Sequence, residues 1–451
     1  MHLTDRAAVA ISVPMNELIE IRIDSIADSG EGVGRAEGKV FFVAHTAPGD
    51  LVSARPIRED KRWTRAELVE LKEAGPGRVD PPCSLAGRCG GCQLQHISSE
   101  AEREAKLKVL SDSLERIGGL GEIPEIQFES SSEFAYRRRA RFQGRSLAET
   151  VEMGFLAAGS HELVPQEKCL LLDEKLQTWV DAFRNQLAGS LPELFSFKAE
   201  FTLLEGDALQ LLLRVESRVG EKVLAVMEAW DTPAPLHLSL RALEKQHSFR
   251  EASGAPFLLE TLKLEPQDRD PLEIRLLTRP GDFIQVNASS NQRLITCLLE
   301  NLDLSETPWL MDLYAGSGNL TLPLALSGAK VMGVEENRSA VRSARRAFRE
   351  NRAARARMKA GKVAKILPEL AADGRKYRTV VLDPPREGAP ELVDWLDPLD
   401  VQEIASLSCN PATLARDIKA WTQKGFQLEA LHLFDFFPQT RHMECLAILK
   451  R

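Results

Sequence analysis

The stretch SLSCNPATLARD (406–417) places Cys409 at the end of a short apolar run, directly before Asn-Pro and a helical segment. A thiol buried there would be ordinary packing, whereas an exposed thiol at a strand end is a candidate nucleophile. What surrounds it in the sequence bears on the choice. MDLYAGSGNLTLPLA (311–325) reads as a strand ending at Asp312, a glycine turn and a helix start. Glycines at 316 and 318 let the backbone approach a ligand closely. Thr321 stands where a dinucleotide fingerprint needs its third glycine, which disfavours a pyrophosphate at the helix start. Glu335 ends the next strand, 17 residues after Gly318, where a carboxylate can take both ribose hydroxyls of a nucleoside. The pattern favours S-adenosylmethionine over a nicotinamide dinucleotide. VVLDPPREGA (380–389) ends a further strand at the same sheet edge, with Asp383 and the rigid Pro384–Pro385 pair beside the crevice. Amino-group methyltransferases commonly place an aromatic residue after the two prolines; here it is Arg386.

Methylating a nitrogen or an oxygen uses a lone pair and needs no enzyme nucleophile. Carbon 5 of a pyrimidine is only weakly nucleophilic. A thiolate adding to carbon 6 turns the ring into an enolate that can attack a methyl sulfonium. A base must then take the carbon 5 proton so that the cysteine can leave. That chemistry asks for one exposed cysteine and one nearby carboxylate. Cys409 meets the first need. FDFFPQTRHMECLAIL (434–449) offers Glu444 for the second, although by itself it reads as a surface carboxylate.

Seven cysteines are unevenly spread: Cys83, Cys89 and Cys92 fall within ten residues, and Cys169, Cys297, Cys409 and Cys445 are scattered. That is no disulfide framework. C-x5-C-x2-C with a distant fourth thiolate suits zinc or an iron–sulfur cluster, and Gly90 and Gly91 tilt the loop toward the bulkier centre.

The elements that must hold these residues follow from periodicity. Residues 14–74 read as about five short strands with turn punctuation, which predicts a small OB-type barrel of the kind that holds nucleic acid. GPGRVDPPC marks a boundary near residue 76. A helix with Leu107, Leu110, Leu114 and Ile117 on one face follows, then a mixed α+β segment to residue 287. From 288 to 451 strands and helices alternate, the signature of a doubly wound α/β sheet. The expected organisation is therefore 1–76, 77–287 and 288–451. A formal charge of −8 excludes a protein that coats nucleic acid non-specifically. It leaves room for local basic patches. Arg338, Arg342, Arg345, Arg349 and Arg352 share one helix face, either simply solvated or facing phosphates. No apolar run approaches membrane-spanning length, and MHLTDRAAVAISV lacks a signal-peptide core, so a cytoplasmic location is expected; a monomer is expected as well.

SCNPATLARD, LDPPREGA, DLYAGSGNLTLPLA, FIQVN (283–287) and FPQTRHME together resemble the RNA uracil-C5 methyltransferases of the TrmA/RumA (RlmD) type, over nearly the whole chain. The resemblance implies a Rossmann-like methyltransferase sheet, an N-terminal TRAM barrel and a mixed central domain. It implies Cys409 as nucleophile and Glu444 as base. Gln285, Tyr314, Asn319, Glu335 and Asp383 would surround S-adenosylmethionine, and Phe283 would stack on a flipped uracil. Arg137 of YRRRAR would touch RNA. Cys83, Cys89, Cys92 and Cys169 would bind a [4Fe-4S] cluster whose role is structural, since uracil methylation requires no electron. Where the family has Asp or Asn for the adenine amino group, this chain has Lys362, which offers no acceptor. The barrel and four cysteines resemble the 23S rRNA enzymes, with tRNA as the alternative target. An RNA cytosine-C5 methyltransferase would carry a second cysteine after LDPP, and there is none. A non-catalytic RNA-binding factor would have no need of both Cys409 and Glu444.

Overall fold

Alternation builds the N-terminal barrel. In the computed structural model Ile19, Ile21 and Ile23 point inward along the strand Ile19–Ile26 while Glu20, Arg22 and Asp24 face solvent. Four further strands, Gly32–Ala36, Lys39–Val43, Leu51–Glu59 and Trp63–Glu73, close the barrel in the order first, second, third, fifth, fourth. Phe41, Val43, Val52, Ala54 and Ala66 complete its core. A Cβ at Gly34 would lie 2.3 Å from the carbonyl oxygen of Arg22, so only glycine lets the second strand press against the first. The structure describes residues 17–147, 149–190, 194–232, 234–243, 250–253, 257–304 and 309–451; the N-terminal segment read above for a signal peptide lies outside them.

The chain divides into two compact units. One holds residues up to Val109 together with Gln439–Arg441, and the other holds Leu110–Pro438 and His442–Arg451. The helix after the barrel, Ser99–Ser113, buries Leu110 on the face its leucines predict, Leu107 is half-buried, and Leu114 just beyond it is buried too. Glu102 and Lys106 are buried as an ion pair 2.6 Å apart, and both Glu102 oxygens accept from the Gln439 amide at 3.0 Å. Ile117, on the π-turn Leu114–Gly118, is exposed.

The second unit contains a seven-stranded mixed sheet backed by the helix Glu174–Leu187, with Phe142, Trp179, Phe183, Phe197 and Phe201 in its core. A two-stranded ribbon, Leu258–Leu264 with Leu272–Thr278, follows. The main sheet has eight strands: β1 (Ile126–Glu129), β2 (Leu310–Leu313), β3 (Val331–Glu335), β4 (Ala356–Ala360), β5 (Thr379–Leu382), β6 (Glu403–Ser408), β7 (Gln427–Phe434) and β8 (Glu444–Lys450). Their spatial order is β4-β3-β2-β5-β6-β8-β7-β1, with β8 antiparallel to both neighbours. Strands β2, β3, β5 and β6 are almost wholly buried, as the continuous apolar runs of a doubly wound sheet require. Strand β1 comes from far upstream, near the start of the mixed segment, and pairs parallel with β7 at the sheet edge. No helix among the described residues is long and apolar enough to cross a membrane.

Candidate active site

The order reverses around β2, and ligands in such sheets sit beyond the strand ends at that switch point. A crevice of about 530 Å³ opens there, lined by Phe283, Gln285, Asp312, Tyr314, Asn319 and Asp383 among others. Its size is typical of a cofactor site. Four of the five residues expected around the cofactor therefore share one cavity. Glu335, the fifth, stands behind the glycine turn, where its carboxylate accepts from the Gly316 amide at 2.9 Å and the Asn337 amide at 2.6 Å. At Gly316 the glycine is needed for its φ of +54° rather than for clearance, since a Cβ there would meet nothing within 4 Å. The donor and acceptor set fits a nucleoside ligand.

Side chains in the crevice are held by neighbours that no motif singles out. The Tyr314 hydroxyl donates to Glu391 at 2.6 Å, and Asn319 exchanges two amide hydrogen bonds with Asn291. Arg138 donates twice to the Gln285 carbonyl at 3.0 Å and pairs with Glu260 at 2.7 Å. Phe283, by contrast, is 71% exposed at the crevice wall. A single exposed ring is ordinary on a protein surface, and what sets this one apart is its place on the crevice lining. Arg137 lies over the rings of Tyr136 and Phe437. Lys362 pairs with Glu336 at 3.6 Å and is not among the crevice's lining residues.

Cys409 follows β6 directly. Asn410 caps the next helix, its side chain accepting from the Ala412 and Thr413 amides, and Pro411 occupies the first helical position, where its missing N–H costs nothing. Ser408 is in register with Cys445 on antiparallel β8, which sets Cys409 across from Glu444. Far from being a surface carboxylate, Glu444 is 7% exposed, and its Oε1 has no hydrogen-bond partner. Burial drives its carboxyl well above the usual range, with the Asp383 carboxylate adding to the effect. Burial and then the Glu444 charge raise the Cys409 thiol, while the Arg386 guanidinium opposes them by charge and hydrogen bond. Asp383 is pushed up to about 6 by burial, and Asp312 to about 7 by burial against the hydrogen bond from Thr321. Asp383 thus borders the crevice and also acts on both Cys409 and Glu444.

The loop carrying Asp383 and Arg386 is clamped to the helix that follows Cys409. The Ala389 amide donates to Asp417 at 2.8 Å, and Arg416 donates to the Glu387 carbonyl at 2.7 Å. Both clamp residues belong to the SCNPATLARD motif itself.

Thiolate and carboxylate are the forms that can add to a ring and accept a proton, and both groups are raised. Single-turnover methylation should therefore climb with pH through the ordinary thiol range and keep rising beyond it, and Arg386→Gln should move the rise to higher pH. A flat profile over that range would rule out these ionisations as controlling the rate.

The chain is similar to known proteins over nearly its full length. A family profile described as tRNA (uracil-5-)-methyltransferase matches residues 257–451. The 23S rRNA (uracil(1939)-C(5))-methyltransferase RlmD of Pseudomonas savastanoi pv. phaseolicola is 32% identical, over 98% of this chain and 95% of that protein. The chain belongs to the RNA uracil-C5 methyltransferases. The corresponding enzyme of Pseudomonas putida is 31% identical over 97% of this chain and 95% of its own. Among solved structures, the tRNA (uracil-54, C5)-methyltransferase of Pyrococcus abyssi in complex with S-adenosyl-L-homocysteine has the same fold. It has a TM-score of 0.72 and 22% identity, covering 95% of this chain and 99% of that one. By family, this chain is an RNA uracil-5-methyltransferase.

Its remaining cysteines are placed less tellingly. Cys83, Cys89 and Cys92 are half-buried in the loop after the barrel, where the Gly91 amide donates to the Cys89 sulfur at 3.4 Å. Cys169, also half-buried, belongs to the second unit. Among the described residues no three His, Cys, Asp or Glu side chains gather as a metal site.

Proposed function

We propose that the enzyme methylates carbon 5 of a uridine in 23S rRNA through a covalent bond between Cys409 and carbon 6. The register of Cys409 against a buried, unpartnered Glu444, with Asp383 joining the pair to the crevice, carries the proposal. In this reading the Cys409 thiolate adds to carbon 6 and the electron pair moves onto the carbon 4 oxygen. S-adenosylmethionine, when bound, supplies the electrophilic methyl group that carbon 5 then attacks. Glu444 takes the carbon 5 proton, the electron pair left behind forms the carbon 5–carbon 6 double bond, and the thiolate is expelled from carbon 6. Gln285, Tyr314, Asn319, Glu335 and Asp383 hold the cofactor. Phe283 stacks on the extruded uracil, which accounts for an exposed ring at the crevice wall. Arg137 meets RNA beside it.

Relatives of 31–32% identity bearing the 23S rRNA name support the ribosomal target, and with it a cytoplasmic location. The tRNA substrate named for the Pyrococcus abyssi structure keeps transfer RNA as the second reading. Both are tested by mixing the protein and S-adenosylmethionine with 5-fluorouridine-substituted 23S rRNA and tRNA transcripts. Fluorine cannot leave as a proton does, so the true substrate should stall as an adduct on a denaturing gel. Trapping by tRNA alone would overturn the ribosomal target; trapping by neither would overturn the covalent route.

The four cysteines Cys83, Cys89, Cys92 and Cys169 are proposed to hold a [4Fe-4S] cluster. The half-buried thiols and the N–H donated to Cys89 suit such a group chemically. No step of the reaction passes through it. Anaerobically purified protein should contain about four irons and as many sulfides per chain, falling sharply in Cys89→Ser; iron-free or zinc-loaded protein would sink the assignment.

A further inference from the structure

The arginine stripe seen in the sequence takes part in nothing described so far. Eight arginines from Arg338 to Arg357 are all exposed, on the helix Arg338–Glu350, the turn after it and edge strand β4. Glu350 is the only carboxylate in that stretch. It pairs with Arg346 at 3.1 Å, and among the described residues none of the other seven forms an ion pair. Backbone carbonyls orient several of them instead. Arg345 donates to Met358 at 2.8 Å, and Arg357 donates to Ala354 at 2.8 Å and Ala356 at 3.0 Å. A guanidinium has five N–H donors, so most remain available, and carbonyls neutralise none of the charge.

Arg345, Arg349, Arg352 and Arg357 border one open groove of about 1030 Å³. In a chain of net charge −8, this much uncompensated positive charge in one place opposes the global balance. Strand β4 is four strand spacings from β6, whose end carries Cys409, which is about 20 Å. A nucleotide in the crevice does not reach that far, whereas a folded RNA does.

We propose that this groove docks the sugar–phosphate backbone of a folded RNA substrate, away from the nucleotide undergoing methylation. The arginines supply charge and donors without reading sequence, so they add affinity and orientation rather than base choice. The proposal rests on the substrate being RNA. It does not depend on which RNA carries the target uridine or on the covalent mechanism.

Equilibrium binding of 23S rRNA and tRNA transcripts, measured across a series of salt concentrations, tests it without requiring methyl transfer. The triple variant R345Q/R349Q/R352Q should bind folded RNA roughly tenfold more weakly, with the slope of log affinity against log salt reduced by about two to three. The single variants R349Q and R352Q, both at exposed positions, should each reduce the slope by about one, so the test survives if the triple variant does not fold. Unchanged binding of S-adenosylmethionine shows that the sheet is intact. R345K/R349K/R352K should restore most of the slope. Unaltered RNA affinity and slope in variants that still bind the cofactor would overturn the proposal, and so would a loss that lysine does not rescue.

Discussion

Cys409→Ala is expected to bind RNA and S-adenosylmethionine as the parent does, yet to methylate more slowly by on the order of 10⁴-fold or more. The reason is that no other group in the crevice can raise the nucleophilicity of carbon 5. Cys445 is the nearest alternative thiol by sequence, but it is fully buried, and burial with the Glu444 charge drives it far from ionisation. Serine at 409 should not rescue, because a hydroxyl ionises far less readily than a thiol. The decisive reading is the 5-fluorouridine adduct, which should vanish in both variants while cofactor binding persists. An alanine variant that still traps RNA would place the nucleophile elsewhere.

Glu444→Gln should separate the two halves of the reaction. Addition and methyl transfer need only the thiolate and the bound cofactor, whereas release needs the carbon 5 proton to be removed. Turnover is expected to fall by on the order of 10²- to 10⁴-fold. A methylated adduct should then accumulate on ordinary, unfluorinated RNA. Normal turnover would dismiss Glu444 as the base, and slow turnover without adduct would place its role before addition. Folding should not suffer. The carboxyl is held above its unfolded value by burial, so the folded state keeps the proton that the unfolded chain releases. Wild-type stability therefore drains as pH rises above the unfolded carboxylate range toward the folded value. A neutral amide removes that loss, and the variant should gain thermal stability relative to wild type between acid and neutral pH.

What could be read from the sequence was what is encoded locally. The barrel strands, the G-x-G turn and the cysteine before Asn-Pro each announce themselves within a dozen residues, through alternation, glycine and a cap. Glu444 did not, because its burial depends on β8 lying between β6 and β7, and that pairing leaves no mark in MECLAIL. The same holds for β1, whose partner β7 lies some 300 residues away. Ile117 misled for the opposite reason. Its helical spacing is sound and Leu110 and Leu114 are buried as that spacing predicts, but a π-turn rotates Ile117 outward, and the buried face also takes in an ion pair that hydropathy cannot foresee. Arg386 was noticed only for the aromatic residue it replaces, and its effect on Cys409 needed the loop to be folded back. For the cysteine trio, spacing marked a cluster without choosing its contents.

The facing of Cys409 and Glu444 across two antiparallel strands subjects the active site to a rule of parity. Successive side chains on a strand point to opposite sides, so deleting or inserting one residue within β8 would exchange Glu444 for Cys445 or Met443 at the reactive face. A two-residue change would keep the correct face while moving the carboxylate along the strand. Length variation in descendants of this chain should accordingly be absent from β8, where a single codon gained or lost carries the carboxylate off the reactive face.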